Sequence, residues 1–314
     1  MLKLIQNEWM KLWSKKATWV MTGLLMLAIL GMFGLTKWID SVNDYEEQDW
    51  KTTAQSELTY AKQDLSSPGL SDSDRERIES DEKVLEYRLA NSIEPLEDNS
   101  REKLIMTSST VVGGIVVLLT VIVAAGIVAS EFTQGTIKML LSRPVKRWKI
   151  LTAKYMTVIL FGIFLMLLGF IVSILGAFLL FQSGNGAELV WNGKEVVEVS
   201  VWGKGLYMLL LSFGNVFVTA TFAFMIGSVF RSSSLSIGLS LFIYFMGSTL
   251  VMLLAKYEIV KYIVFTHMDL TMYETGFTIV EGITMPFSLA VLAVYIVIFL
   301  FISYTTFMKR DITA

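Results

Sequence analysis

The densest collection of chemically distinct residues lies between Glu131 and Tyr155, EFTQGTIKMLLSRPVKRWKILTAKY. These 25 residues hold one carboxylate, a Gly-Thr pair, one proline and six Lys or Arg, set between two long apolar runs. A solvated basic loop would explain the charges alone. It would not explain Gly135 and Thr136, the pair Leu140 and Leu141, or Pro144, which stops a helix and biases Arg143 away from helical geometry. The pattern predicts a short preformed knob. Phe132, Ile137, Leu140 and Leu141 cluster on it, while Gln134, Lys138 and Arg143 stay wet. Glu131 meets water or headgroups, and Arg147, Lys149 and Lys154 re-enter at headgroup depth. A basic patch with an apolar ridge is the chemistry of recognition rather than catalysis.

Catalytic patterns are missing elsewhere. The dipeptides Gly193-Lys194 and Gly203-Lys204 lack the upstream glycine of a phosphate-binding loop, and neither follows a buried parallel strand. There is no zinc-protease motif and no serine nucleophile elbow. With no cysteine, a disulfide framework or a thiolate metal site is impossible. The single histidine, His267, has no second ligand cluster beside it, so a metal or proton role is not assigned to it. The chain is expected to be no enzyme, to bind no metal or cofactor, and to have no nucleic-acid partner.

What positions the basic segment follows from hydropathy. The chain has 314 residues, 54% of them hydrophobic. Its mean hydropathy is +0.59. Uncharged runs cover 17–36, 104–130, 155–187, 205–230, 232–255 and 282–308. Each has the roughly 20 residues a span needs. None contains Asp, Glu, His, Lys or Arg, which argues against an ion-coupled carrier or a charged-ring channel. Residues 37–103 carry nine basic and 18 acidic residues. The remaining basic clusters, Lys3 to Lys16, Lys138 to Lys154, and Lys309 with Arg310, fall on one side by the positive-inside rule. An even number of spans then puts both termini in the cytoplasm. The first run is too long for a cleaved signal peptide and lacks a small-residue cleavage site, so it is read as an uncleaved span.

The expected class is therefore an all-α polytopic membrane protein with six transmembrane helices; its placement in the bacterial cell (plasma) membrane is what the family resemblance described below implies. The divisions are 1–16, an amphipathic cytoplasmic helix; 17–37, the first span; 38–103, an extracellular helical hairpin; and 104–130, the second span. The basic loop occupies 131–150, the third span 151–181, an extracellular hairpin or irregular loop 182–204, the fourth span 205–230 and a cytoplasmic turn 231–234. The fifth span is 235–255, an outer-leaflet amphipathic or re-entrant segment 256–285, the sixth span 286–308 and a cytoplasmic tail 309–314. In 1–16, Leu2, Ile5, Trp9, Leu12 and Trp13 form one face and Lys3, Asn7, Lys11 and Lys15 fall largely elsewhere. That suits either an interfacial helix or the ordinary basic flank of a span. In 38–103, Trp50, Ala54, Leu58, Ala61 and Leu65 recur at helical spacing before SSPGLSDSD, and Ile78, Leu85 and Leu89 after it. Trp191 and Trp202 are placed to anchor at an interface.

Small residues at Gly169, Ser173 and Ala177, and at Ala223 and Gly227, predict close helix approach. Ser212, Asn215, Thr219 and Thr221 make the fourth span modestly polar. They serve either helix-helix hydrogen bonds or a substrate path through Ser212, Asn215 and Thr219. No internal repeat is visible.

SEFTQGTIKMLLSRPVKRWKILTAKY resembles the segment after the second span of bacterial ABC-2-type transporter permeases. The matching positions are Glu131, Gly135, Thr136, Lys138, Leu140, Leu141, Ser142, Pro144, Arg147 and Lys154. GSVFRSSSLSIGLSL, with Gly227, Arg231 and Ser232, is similar to that family's turn between spans four and five. The layout also matches, although residues 38–103 exceed the short first outer loop of compact members. The resemblance implies a permease subunit of an ATP-driven exporter. Its coupling helix, through Glu131, Gly135, Thr136, Lys138, Leu140, Leu141, Pro144 and Arg147, would seat in a separate ABC ATPase subunit present in two copies. ATP and Mg would be bound by that ATPase, and a second permease chain, identical or paralogous, would complete the route for an amphiphilic peptide, drug or lipid-like molecule. Membrane lipid is the other partner. The alternative is a non-transporting sensor or assembly scaffold with residues 38–103 as receptor.

Overall fold

The computed structural model describes residues 1–42, 49–136, 145–276 and 278–309. Among them the chain is almost wholly helical. The first half comprises α1 (Leu2–Trp13), α2 (Lys16–Val42), α3 (Trp50–Leu65), α4 (Asp72–Asn91) and α5 (Arg101–Thr133). Then come α6 (Arg147–Leu180), strands β1 (Leu189–Trp191) and β2 (Val196–Glu198), α7 (Val201–Val229) and α8 (Ser233–Leu254). A 3-10 turn (Glu258–Tyr262) and two short helices, α9 (Val264–His267) and α10 (Met272–Thr275), lead into α11 (Met285–Lys309). Six helices, α2, α5, α6, α7, α8 and α11, are long and apolar enough to cross a membrane.

The centre of the bundle is the pair α5 and α7. The most apolar windows of these two helices are 61% and 72% buried, against 17% for α8 and α11, so the latter lie at the rim. In lipid, apolar side chains gain nothing by leaving solvent, and close packing through small residues holds spans together instead. A Cβ at Gly227 would stand 2.3 Å from the Ala125 carbonyl oxygen, and one at Gly113 2.5 Å from Ser212 Cβ. α6 joins by the same device. Gly169 takes up Val112 of α5, and Gly176 takes up the Phe33 ring of α2. Ser173, Ala177 and Ala223 are fully buried.

The basic segments gather at one end of the bundle. Thr133 Oγ1 donates to the Arg231 carbonyl (3.2 Å) and accepts from the Ser233 N–H (3.2 Å), which ties the end of α5 to the α7–α8 turn. Arg147, opening α6, donates to the Met308 carbonyl at the end of α11 (3.3 Å).

At the opposite end Ser100 caps α5 by accepting the Lys103 N–H (3.2 Å), and Glu102 accepts from Ser183 Oγ (2.8 Å) and the Gly184 N–H (3.2 Å). α3 and α4 form a helical pair joined through Ser71, whose side chain accepts the Asp74 N–H (3.0 Å). Lys62 bonds Glu86 across the pair (2.7 Å), and Ala54 and Ile78 are buried. So small an apolar stripe needs outside support. α4 finds it in Arg88, which donates to the Ala187 carbonyl (3.2 Å), and in Lys83, which sits 4.3 Å above the Trp191 ring. β1 and β2 pair antiparallel with Val190 opposite Val197. The 256–285 segment packs on the spans: Phe265 occupies the space a side chain at Gly247 would need, and Leu270 that at Gly214.

Candidate functional site

The site is built from the sequence Glu131-x-x-x-Gly135-Thr136. α5 ends where Gly135 takes a positive φ of 70°, a conformation that costs a side-chain-bearing residue roughly 1 kcal/mol or more. The reversal brings the Thr136 hydroxyl back onto the Glu131 carboxylate, to which it donates through Oε2. The other carboxylate oxygen, Oε1, accepts from Lys154 of α6 (2.7 Å) and from Lys11 of α1. Lys154 in turn bonds Glu8 of α1 (2.8 Å). One acid at the end of α5 thereby holds α1, α6 and the turn at Gly135 and Thr136 together.

This arrangement corrects two expectations. Glu131 and Lys154 do not meet water or headgroups: they are 2% and 1% exposed. The reason lies in α1, which docks onto α6 and covers them. Trp13 packs edge-on to Phe164 (5.1 Å between ring centres) and Phe161 (6.3 Å), and Trp9 to Phe164 (6.0 Å). Glu8, the residue not singled out from sequence, shares a stripe with Ile5 and Leu12 at helical spacing, which was the available signal. A carboxylate on the apolar face of a basic helix requires a buried cation. Breaking such a pair by removing one partner typically costs about 3–5 kcal/mol, because the other charge is left buried.

Of the remaining positions expected to couple to an ATPase, Arg147 opens α6 at the same end and bonds the end of α11, while Lys138, Leu140, Leu141 and Pro144 fall outside the described residues, as does the motif position Ser142. The polar residues of α7 point elsewhere. Ser212 is buried against Gly113. Thr219 donates to Asn215 Oδ1 (3.0 Å) and also approaches Met268 sulfur (3.9 Å). Thr221 meets Tyr155 across the α6–α7 contact (2.9 Å). The Thr221–Tyr155 and Ser212–Gly113 contacts join helices, whereas the Thr219–Asn215 bond lies within α7.

His267 is fully buried. Its Nε2 faces the Lys261 carbonyl (2.8 Å), so Nε2 carries the proton and Nδ1 accepts from the Ser288 hydroxyl (2.5 Å), which also meets Tyr273. Burial pushes its pKa below the ordinary value, only partly opposed by that carbonyl, which fits a neutral structural residue. Among the described residues no group of three His, Cys, Asp or Glu is placed to hold a metal.

At the end away from Glu131, α4, β1 and parts of the segment before α11 border an open cavity of about 780 Å³, lined by Arg77, Asp81, Trp191, Lys261, Tyr273 and Glu281 among others. Gly276, with φ 68°, lets the Arg77 side chain pack within 3.0 Å of where a Cβ would be.

Six helices long and apolar enough to cross a membrane point to a multi-pass membrane protein. Over residues 77–313 the chain matches the family described as "Protein of unknown function (DUF2705)", and it belongs to that family. It is 37% identical over 318 residues to a Bacillus subtilis (strain 168) protein named "Uncharacterized protein YhcI", with 99% of each chain covered. A second protein of that strain, "Uncharacterized membrane protein YdbK", is 32% identical over 196 residues, covering 60% of this chain and 75% of its own.

Proposed function

We propose that the chain is the membrane-spanning permease subunit of an ATP-driven ABC exporter of the bacterial plasma membrane, with both termini cytoplasmic. The single observation that carries this reading is the Glu131 cluster. The segment resembling an ABC-2 coupling helix leaves α5 at a carboxylate ion-paired to both α1 and α6. A push on residues 137–144 therefore reaches three membrane elements at once, which is what a part that receives motion from a separate ATPase requires. The chain has no phosphate-binding loop of its own, so ATP and Mg belong to the partner, in two copies, beside a second permease chain. Spans free of charge suit an amphiphilic cargo.

The test is co-purification. The full chain, expressed with the ATPase encoded beside it, is expected to form a complex that Leu140→Asp abolishes while leaving the chain folded. Absence of a complex with the wild-type chain would overturn the reading.

The cavity over α4 favours a second reading, a membrane sensor whose 38–103 hairpin is extracellular. Removal of residues 45–98 separates the two: an exporter retains ATPase-dependent export, whereas a sensor loses its response.

A further inference from the structure

Beside the Glu131 cluster, on the side away from α6, runs a groove of about 160 Å³ between α1, α2, α5 and α8. Its wall is apolar along Met21, Ile122, Val123, Ile127 and Ile237, and Gly126 keeps its floor open, since a Cβ there would only touch Ile237 and Ser233 at 3.7 Å. Its basic end holds Lys15, Ser130 and Ser233. Lys15 also borders the Glu131 cluster. Among the described residues no carboxylate pairs directly with Lys15 Nζ.

Two hydroxyls stand beside it. Many helical Ser and Thr here return their proton to the carbonyl four residues back, as Thr22, Ser228, Ser236 and Ser240 do. Among the described residues Ser130 and Ser233 donate to no protein atom. They and Lys15 line the mouth of an apolar slot. A long apolar occupant with an oxygen-rich, negatively charged head satisfies all three groups and the wall together.

We infer that this groove is a site for one acyl chain of an anionic phospholipid, with its phosphate held by Lys15 and its ester region by Ser130 and Ser233. The site is independent of the exporter reading, because it needs only the membrane. Lys15 is an exposed residue, and partial desolvation, then Lys11 and Lys154, push its pKa below the ordinary lysine value, only partly opposed by Glu131 and Glu8. A phosphate would relieve that cation crowding. Occupancy would also wedge α1 and the start of α2 against α5, next to the cluster.

Native mass spectrometry of the full chain tests this, using mixed micelles with equal phosphatidylglycerol and phosphatidylcholine. The wild type is expected to retain one phosphatidylglycerol in about fivefold preference, the size one interfacial lysine confers. Lys15→Gln is expected to erase that preference. Gly126→Leu, which fills the slot, is expected to lose the retained lipid, and Ile237→Phe serves the same purpose should Gly126→Leu melt below the wild type in lipid-free detergent. Equal retention of the two lipids by the wild type would overturn the proposal. So would undiminished retention in the filled variants, or displacement of the lipid by soluble glycerol phosphate, which would show that the acyl slot is unused.

Discussion

At the residue scale the cluster around Glu131 gives a physical role to a Glu, a Gly and a Thr at that spacing in one short segment. The glycine reverses the chain, the threonine closes back on the acid, and the acid is left with one oxygen for two lysines. Lys154→Met removes the cation shared by Glu8 and Glu131. It is expected to cost about 3–5 kcal/mol, or a melting temperature lower by roughly 10 °C. Glu131→Gln combined with Lys154→Met should recover part of that loss, since no lone charge at Glu131 remains buried. A thermal melt of the four proteins in one detergent measures the coupling. The far end offers a pH test. Burial works against the charge on Glu188, but Lys103 and Lys204, each 3.1 Å away, overcome it and hold its pKa below the ordinary carboxylate value. A carboxyl depressed in the folded state stabilises above its unfolded pKa and stops doing so as pH falls through the folded one. The melting-temperature gap between wild type and Glu188→Gln should therefore be widest at neutral pH and close below about pH 4.

At the scale of elements, the bundle is fixed by where small residues stand. Gly227→Leu would drive a side chain into the Ala125 carbonyl and is expected to abolish the monodisperse peak in size-exclusion chromatography. Gly114→Ala, where nothing lies within 4 Å, should be neutral or raise stability by up to about 1 kcal/mol. The six spans were legible because uncharged runs and helix length are local properties, and the small-residue spacings marked true contacts. The docking of α1 was not legible. Its Trp face reads as membrane-seeking whether it meets lipid or the Phe161 and Phe164 rings, and only Glu8, on the apolar stripe, betrays a protein contact. Nor can the pairing of Glu8 with Lys154 be read from spacing, because it depends on how α1 lies across α6. The same holds for Thr219, whose hydroxyl reads alike as path lining or as a partner for Asn215.

At the scale of the whole molecule, the chain is a bundle whose basic end is cross-linked by charge and whose other end is cross-linked by capping and a small sheet. If it is the permease of an exporter, motion entering at residues 137–144 must pass through Glu131 and Lys154 to reach the spans. The most direct measurement is ATP turnover by the adjacent ATPase, reconstituted with the chain in nanodiscs and compared between wild type and the Glu131→Gln, Lys154→Met double variant. The account predicts that the double variant still forms the complex but loses most of the substrate-stimulated turnover, on the order of tenfold. A complex whose stimulated turnover is unchanged in that variant would contradict it.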